Sequence, residues 1–84
     1  MRPSPHVSWF VEFQGITVVR RGAGSLSIPY PQAGLWALIA HENYSTSRAV
    51  ELMSVLLSIE RQEAEKSVEA TLAAWRQEGI VVES

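Results

Sequence analysis

The amino-acid sequence predicts an α+β domain in which a three-stranded antiparallel sheet precedes a three-helix bundle. Apolar residues alternate with others through residues 7–13, which is the period of a β-strand. Further on, one buried helical face is marked by Ala64, Val68, Leu72 and Trp75, which recur at helical spacing. Gly79 then suits a left-handed helix C-cap, and a β-branched run follows it. These three observations set the class and the order of the elements.

Length and composition limit the chain to one small globular domain. Its 84 residues are 46% hydrophobic and 19% charged, which is typical of a folded domain. The absence of cysteine removes disulfides, thiolate zinc sites and cysteine nucleophiles together. No apolar stretch approaches the roughly 20 residues of a membrane span, and no signal peptide is visible. We therefore expect a cytoplasmic protein without a membrane partner.

The first half of the chain predicts an arm and a hairpin. Residues 1–6 contain two prolines, which disfavour helix and ladder hydrogen bonds, so we predict a flexible arm and a single domain over residues 7–84. Residues 7–13 form the first strand, with a turn at residues 14–15. Residues 16–20 are β-branched enough to be the returning strand.

The next segment predicts the third strand and the first helix. Leu26 and Ile28 carry a short strand that Pro29 ends or confines to a sheet edge. Pro31 suits the first turn of a helix, where its missing N–H removes no hydrogen bond. Four of residues 35–39 are large and apolar, and the fifth is an alanine. This segment predicts a short, strongly apolar helix.

Two further helices complete the domain. Residues 41–45 are polar and form a connection, and Thr46 is the predicted N-cap of the second helix. Residues 58–62 link it to the third helix. The apolar stripe of the second helix comprises Val50, Met53 and Leu57, with Leu52 and Leu56 beside it.

No set of residues in the sequence supports catalysis. His6 and His41 each stand alone, and a metal site needs several ligands at suitable spacing. No Gly-x-Ser-x-Gly motif marks a nucleophilic serine. Residues 22–24 resemble a fragment of a phosphate loop without its third glycine or following helix, so a turn is the better interpretation. We therefore assign no catalytic residue, no metal ligand and no cofactor, and we predict that the protein is not an enzyme.

A second strip on the third helix also follows helical spacing but consists only of small side chains. Small residues let another backbone approach a helix closely. One interpretation is close packing against the sheet or the second helix. The other is a wall that an extended peptide approaches. The strip comprises Ser67, Ala70, Thr71 and Ala74.

Three strands followed by three helices, with a helix–turn–helix in the middle, make a winged-helix-like arrangement. From Leu26 onward the sequence also resembles the PqqD family, small peptide chaperones that serve as precursor-recognition domains in ribosomal peptide modification. The ordered set keeps its spacing without a gap over about two-thirds of the chain. The residues that carry the resemblance are Ile28, residues 35–39, Thr46, Val50, Ile59, Ala64, Val68, Leu72, Trp75 and residues 79–81.

The sequence departs from this family at three places. Ile28 is followed by Pro29, where the family commonly has a Leu-Asn pair entering the first helix. Ser67 stands where an acidic residue is usual near the start of the third helix. The N-terminal hairpin matches only in its pattern.

The resemblance implies a binding site for a leader peptide. In this family the leader adds as an extra strand to the third strand, in the groove beside the third helix. The implied partners are the precursor peptide and a modifying enzyme, such as a radical SAM protein or a leader protease, in cofactor or natural product biosynthesis. The implied peptide-binding residues are Ser25, Leu26, Ser27 and Ile28 on the strand, with Ser67, Ala70, Thr71 and Ala74 on the helix.

Two alternatives belong to other functional classes. A winged-helix DNA-binding domain would share this arrangement, but DNA affinity depends on basic side chains. The net charge is −2, and residues 63–78 carry four glutamates against Lys66 and Arg76, so we predict no nucleic-acid partner. A structural module is the other alternative, in which the third strand or the apolar first helix would form a homodimer.

Overall fold

A computed structural model describes residues 1–83 and confirms the α+β order of a three-stranded sheet followed by three helices. Ser84, which the sequence assigns to the domain, lies outside the described residues. The elements are β1 (Arg2–Pro3), β2 (Val7–Glu12), β3 (Gly15–Arg20), β4 (Gly24–Pro29), α1 (Gln32–Ala40), α2 (Thr46–Leu57), α3 (Arg61–Gln77) and β5 (Val81–Val82).

Strands β2, β3 and β4 form an antiparallel meander, with β3 in the centre and the other two at the edges. Glu12 pairs with Gly15, so the tight turn consists of residues 13–14 and lies one residue before the predicted position. Gly15 is needed for packing, because a Cβ there would overlap the carbonyl oxygen of Ile28 on β4. The first strand accordingly ends at Glu12 and Phe13 lies in the turn.

The N-terminal segment takes part in a second, two-stranded ladder. Arg2 pairs with Val82 and Pro3 with Val81, and the Ser4 N–H donates to the Ile80 carbonyl at 2.9 Å. This differs from the prediction that prolines keep residues 1–6 out of ladder hydrogen bonds. A proline lacks only its own N–H, so a two-residue ladder at an edge tolerates one.

The helix boundaries differ from the predicted ones by one or two residues. Helix α2 is capped by Ser45, whose hydroxyl oxygen accepts from the Arg48 N–H at 3.1 Å, so Thr46 is the first helical residue and not the cap. Helix α3 begins at Arg61, so the last two residues of the predicted 58–62 connection are helical. Gly79 has a φ of 75° after the last turn of α3, as its C-cap prediction requires.

The core lies between one face of the sheet and the three helices. The buried apolar side chains come from every large element except β2. They are Ile16, Val18, Ile28, Ala33, Leu35, Trp36, Ile39, Ala49, Val50, Met53, Ala64, Val68, Leu72, Trp75, Ile80 and Val81. The predicted apolar face of α3 is therefore the observed one. On α2, Val50 and Met53 are buried and Leu57 is partly buried, whereas Leu56 is exposed.

Three tryptophans form a ladder across this core. Trp36 of α1 makes edge-on contacts with Trp9 of β2 and Trp75 of α3, with ring centroids 5.5 and 5.6 Å apart. Such T-shaped pairs suit the ring quadrupoles. Trp36 and Trp75 are buried, whereas Trp9, on the alternating apolar face of the first strand, is 38% exposed at the sheet edge. The ladder thus connects the two sides of the molecule that carry the exposed sheet edges.

Candidate functional site

An open groove of about 440 Å³ runs between edge strand β4 and the C-terminal half of helix α3. Its volume lies within the range of ordinary ligand sites. Strand β4, the start of α1 and the last two turns of α3 contribute to it. The lining residues are Leu26, Ser27, Ile28, Pro29, Gln32, Ala74, Trp75 and Glu78.

The floor of the groove is apolar and rigidly supported. Ile28 and Trp75 are buried and Leu26 is half-buried, so each leaves only part of its surface open to the groove. Trp75 is fixed from behind by its contact with Trp36. Ala74 is exposed beside it and adds no bulk. The floor therefore offers apolar surface to a narrow, extended ligand.

The outer edge of β4 presents free main-chain groups to this groove. The Tyr30 N–H donates to the Gln14 carbonyl at 3.3 Å, which identifies residues 14 and 30 as a hydrogen-bonded pair. Such pairs alternate along an antiparallel ladder, so the amides of Leu26 and Ile28 point toward β3. The N–H and C=O groups of Ser25 and Ser27 consequently point to the open edge. Pro29 has no N–H and ends this row of donors.

One end of the groove is closed by an ion pair. Arg20 at the end of β3 donates from Nη1 to Oε2 of Glu78 at 2.7 Å and from Nη2 to the Ala23 carbonyl at 3.0 Å. The same Nη1 lies 3.5 Å from the Glu78 carbonyl, near the negative end of the α3 dipole. This contact holds the C-terminus of α3 against the sheet and fixes the width of the groove at that end.

The structure brings half of the eight predicted site residues into the lining. Leu26, Ser27, Ile28 and Ala74 line the groove. Ser25 is exposed at the start of β4 and carries one of the free edge groups. The other three lie nearer the N-terminus of α3, outside the lining; they are Ser67 and Thr71, which are half-buried, and Ala70, which is exposed.

Four lining residues have no place in the sequence prediction of the site: Pro29, Gln32, Trp75 and Glu78. Trp75 is predicted only as a core residue, and it serves both as core and as floor. Glu78 follows Ala74 by one helical turn, so extension of the small-residue strip toward the C-terminus would have found it. The turn between β4 and α1 places Gln32 in the groove. The sequence has no helical or strand periodicity at this turn from which the position of Gln32 could be predicted.

The groove is mainly apolar and carries little charge. Glu78 is the one ionisable side chain among its described lining residues, and it is paired with Arg20. Within residues 1–83 no group of three or more His, Cys, Asp or Glu side chains is placed to hold a metal ion. What the arrangement provides is an apolar floor, a main-chain edge and polar ends.

Comparisons with known proteins give no family assignment. No family model matches the sequence, and no curated protein or solved structure does either. In the part of the chain that the structure describes, no helix is both long and apolar enough to cross a membrane. The class defined by the fold and the site is thus an α+β domain with an open, strand-edged groove.

Proposed function

We propose that this protein is a PqqD-like peptide chaperone that binds the leader of a ribosomally made precursor and presents it to a modifying enzyme. The single observation that carries the proposal is the free edge of β4, with the main-chain groups of Ser25 and Ser27 exposed directly beside an apolar groove floored by Trp75. The family resemblance on which it also rests covers the chain from Leu26 onward.

A peptide that adds to β4 would satisfy both features at once. Main-chain hydrogen bonds to Ser25 and Ser27 would hold the peptide in extended form without regard to its sequence. Alternate side chains of the added strand would then face the floor formed by Leu26, Ile28 and Trp75. Selectivity would come from these apolar positions, because the edge hydrogen bonds are the same for every peptide.

The charges on α3 favour this function over DNA recognition by a winged helix. Arg61 and Glu65 lie 3.7 Å apart, and Arg76 pairs with Glu83 at 2.7 Å. Two of the three basic side chains of α3 are therefore next to glutamates, and Lys66 is the third. Such a helix offers little positive surface to phosphates. We accordingly propose a cytoplasmic protein–peptide interaction with no nucleic acid.

Amide shifts on peptide titration test the proposal. The ¹⁵N-labelled protein is titrated with synthetic leader peptides encoded beside its own gene, and with scrambled versions of the same peptides. We expect shifts at residues 25–28 and 74–78 and at the Trp75 indole N–H, with the amides of α2 as an internal control. A leader that binds with shifts confined to other residues rules out this groove, and the absence of binding by every neighbouring leader rules out the function.

A further inference from the structure

The opposite edge of the sheet carries the largest concentration of exposed aromatic surface in the sheet. Strand β2 and its turn expose Phe10 by 51%, Val11 by 72% and Phe13 by 98%, and Trp9 is partly exposed beside them. Native proteins usually protect edge strands with charge, proline or a covering element. Between Val7 and Val11 strand β2 has no charged residue and no proline. An exposed edge of this kind is typical of a strand that pairs with another chain.

The main chain of β2 is oriented for such pairing. The Arg21 N–H donates to the His6 carbonyl at 3.1 Å, which marks residues 6 and 21 as a hydrogen-bonded pair. By the alternation of the ladder, Ser8, Phe10 and Glu12 bond to β3. The main-chain groups of Val7, Trp9 and Val11 therefore point away from the sheet. The Val7 N–H is used by the Ser4 carbonyl, which leaves Trp9 and Val11 as the donors at this edge.

We infer that β2 pairs antiparallel with β2 of a second copy of this chain, about a two-fold axis at Trp9, to give one continuous six-stranded sheet. The Trp9 main-chain groups of the two copies then bond to each other. The Val11 N–H of each copy donates to the Val7 carbonyl of the other. A two-fold interface uses the same surface on both copies, so the strand must be complementary to itself.

Polar and apolar side chains are matched across the interface in this register. Pairing about Trp9 places Glu12 of one copy opposite His6 of the other, at both ends of the interface. These are non-hydrogen-bonded positions, where side chains come closest. Val7 lies opposite Val11 and covers a side chain that the monomer leaves exposed, and Ser8 lies opposite Phe10. The two Trp9 side chains lie opposite each other on the core-facing side, as a cross-strand aromatic pair. Pairing about Phe10 would instead place Glu12 opposite Ser8 and lose the pairing of Glu12 with His6.

The second copy is a better occupant of β2 than a leader peptide because of what surrounds this edge. On the β4 side, helix α3 forms a second wall that selects the side chains of an added strand. On the β2 side, none of the described residues makes such a wall, since Val11 is on the core-facing side of the sheet and is still 72% exposed. The sheet of a second copy pairs with this edge through main-chain hydrogen bonds and needs no neighbouring helix to hold it. The inference is independent of the proposed function.

Sedimentation velocity over a range of concentrations tests the dimer, with substitutions at two valines of similar exposure compared with the wild type. Val11→Lys places a charge at the proposed interface, and Val55→Lys places one on α2 at a position of nearly equal exposure, 70%. We expect a reversible dimer for the wild type, at least a tenfold weaker dimer for Val11→Lys and no change for Val55→Lys. A concentration-independent monomer, or equal effects of the two substitutions, overturns the inference.

Cysteine pairing tests the register, because the natural chain has no cysteine. The variants Ser8→Cys and Phe10→Cys are each prepared reduced, then mixed in equal amounts and oxidised mildly. Opposite residues at a non-hydrogen-bonded position have Cα atoms about 4.5 Å apart, within disulfide range. We expect the mixed disulfide to form faster than either homodisulfide. Faster self-crosslinking of Phe10→Cys, or random pairing, overturns the two-fold axis at Trp9.

Discussion

The two edges of this three-stranded sheet differ in both composition and surroundings. In strand β4 the residues whose main-chain groups point to the open edge are small and polar, Ser25 and Ser27. This strand lies across a groove from α3. In strand β2 the residues whose main-chain groups point to the open edge are large and apolar, Trp9 and Val11. Trp9 contacts Trp36 of α1, but Val11 remains 72% exposed. An edge beside a helix can select a foreign peptide, whereas an open apolar edge is suited to a copy of itself. One small sheet can therefore hold two binding surfaces without competition between them.

The tryptophan ladder is the physical link between the edges. Trp36 contacts Trp9 at the β2 edge and Trp75 under the groove. Its indole Nε1 is buried and has no hydrogen-bond partner among the described residues. A buried unpaired donor costs about 1–3 kcal/mol, so the residue is kept for its volume and ring contacts, not for a polar interaction.

The largest expected effect comes from removing this link. Trp36→Ala should lower the free energy of unfolding by about 3 kcal/mol, the low end for a buried tryptophan, because loss of the unpaired N–H offsets part of the cavity term. Both edges should lose binding together, because Trp36 supports Trp9 on β2 and Trp75 under the groove. Urea unfolding followed by circular dichroism measures the change.

Trp36→Phe is the matched control, since it keeps a ring in the same place and removes the unpaired N–H. We expect it to lower stability by less than about 1.5 kcal/mol. If Trp36→Ala were no more destabilising than Trp36→Phe, the ladder would not be the common support of the two edges.

The next largest effect separates the edges. Ala74→Trp fills the groove from the exposed wall of α3 and should weaken leader binding at least about 100-fold, which corresponds to about 2.7 kcal/mol. Because Ala74 is exposed, the fold and the β2 dimer should be unchanged. Ala73→Trp is the control, because Ala73 is next to Ala74 and is also exposed but lies outside the groove lining. Isothermal titration with the leader peptide measures both variants, and equal losses would place the peptide elsewhere.

The sequence predicts those parts of the molecule that have a regular period. The buried face of α3 and the C-cap at Gly79 follow from local spacing and are observed. On the predicted apolar face of the first strand, Val11 and Phe13 are exposed, because none of the described residues packs over that end of the sheet edge. The turn at residues 13–14 and the cap at Ser45 each differ by one residue, because both alternatives have suitable turn or cap chemistry and the sheet register and helix packing decide between them.

The groove is predicted less completely, for a physical reason. Small side chains on α3 predict where a backbone can approach, but not how far along the helix β4 reaches. The position of β4 is set by its register with β3 and by the Arg20–Glu78 contact, and the second of these joins residues 58 positions apart in sequence. The groove therefore lies at Ala74 and Glu78 and not at Ser67. The pairing of residues 2–3 with Val81–Val82 has no local signal either.

The finest test of the comparison uses one proline at each edge. Ser27→Pro removes a main-chain donor that points to the open side of β4, and Val11→Pro removes one that points to the open side of β2. Neither change breaks a hydrogen bond to β3, so each variant should fold with only a small change in its unfolding midpoint.

The two variants should have opposite binding defects. We expect Ser27→Pro to weaken leader binding about tenfold, the value of one net hydrogen bond of about 1.4 kcal/mol, and to leave the dimer intact. Val11→Pro should weaken the dimer and leave leader binding intact, because its groove is untouched. Titration calorimetry and sedimentation measure the pair. If either proline impaired both activities with the fold intact, the two edges would act as one site, and the division of the sheet into a selective edge and a self-pairing edge would be wrong.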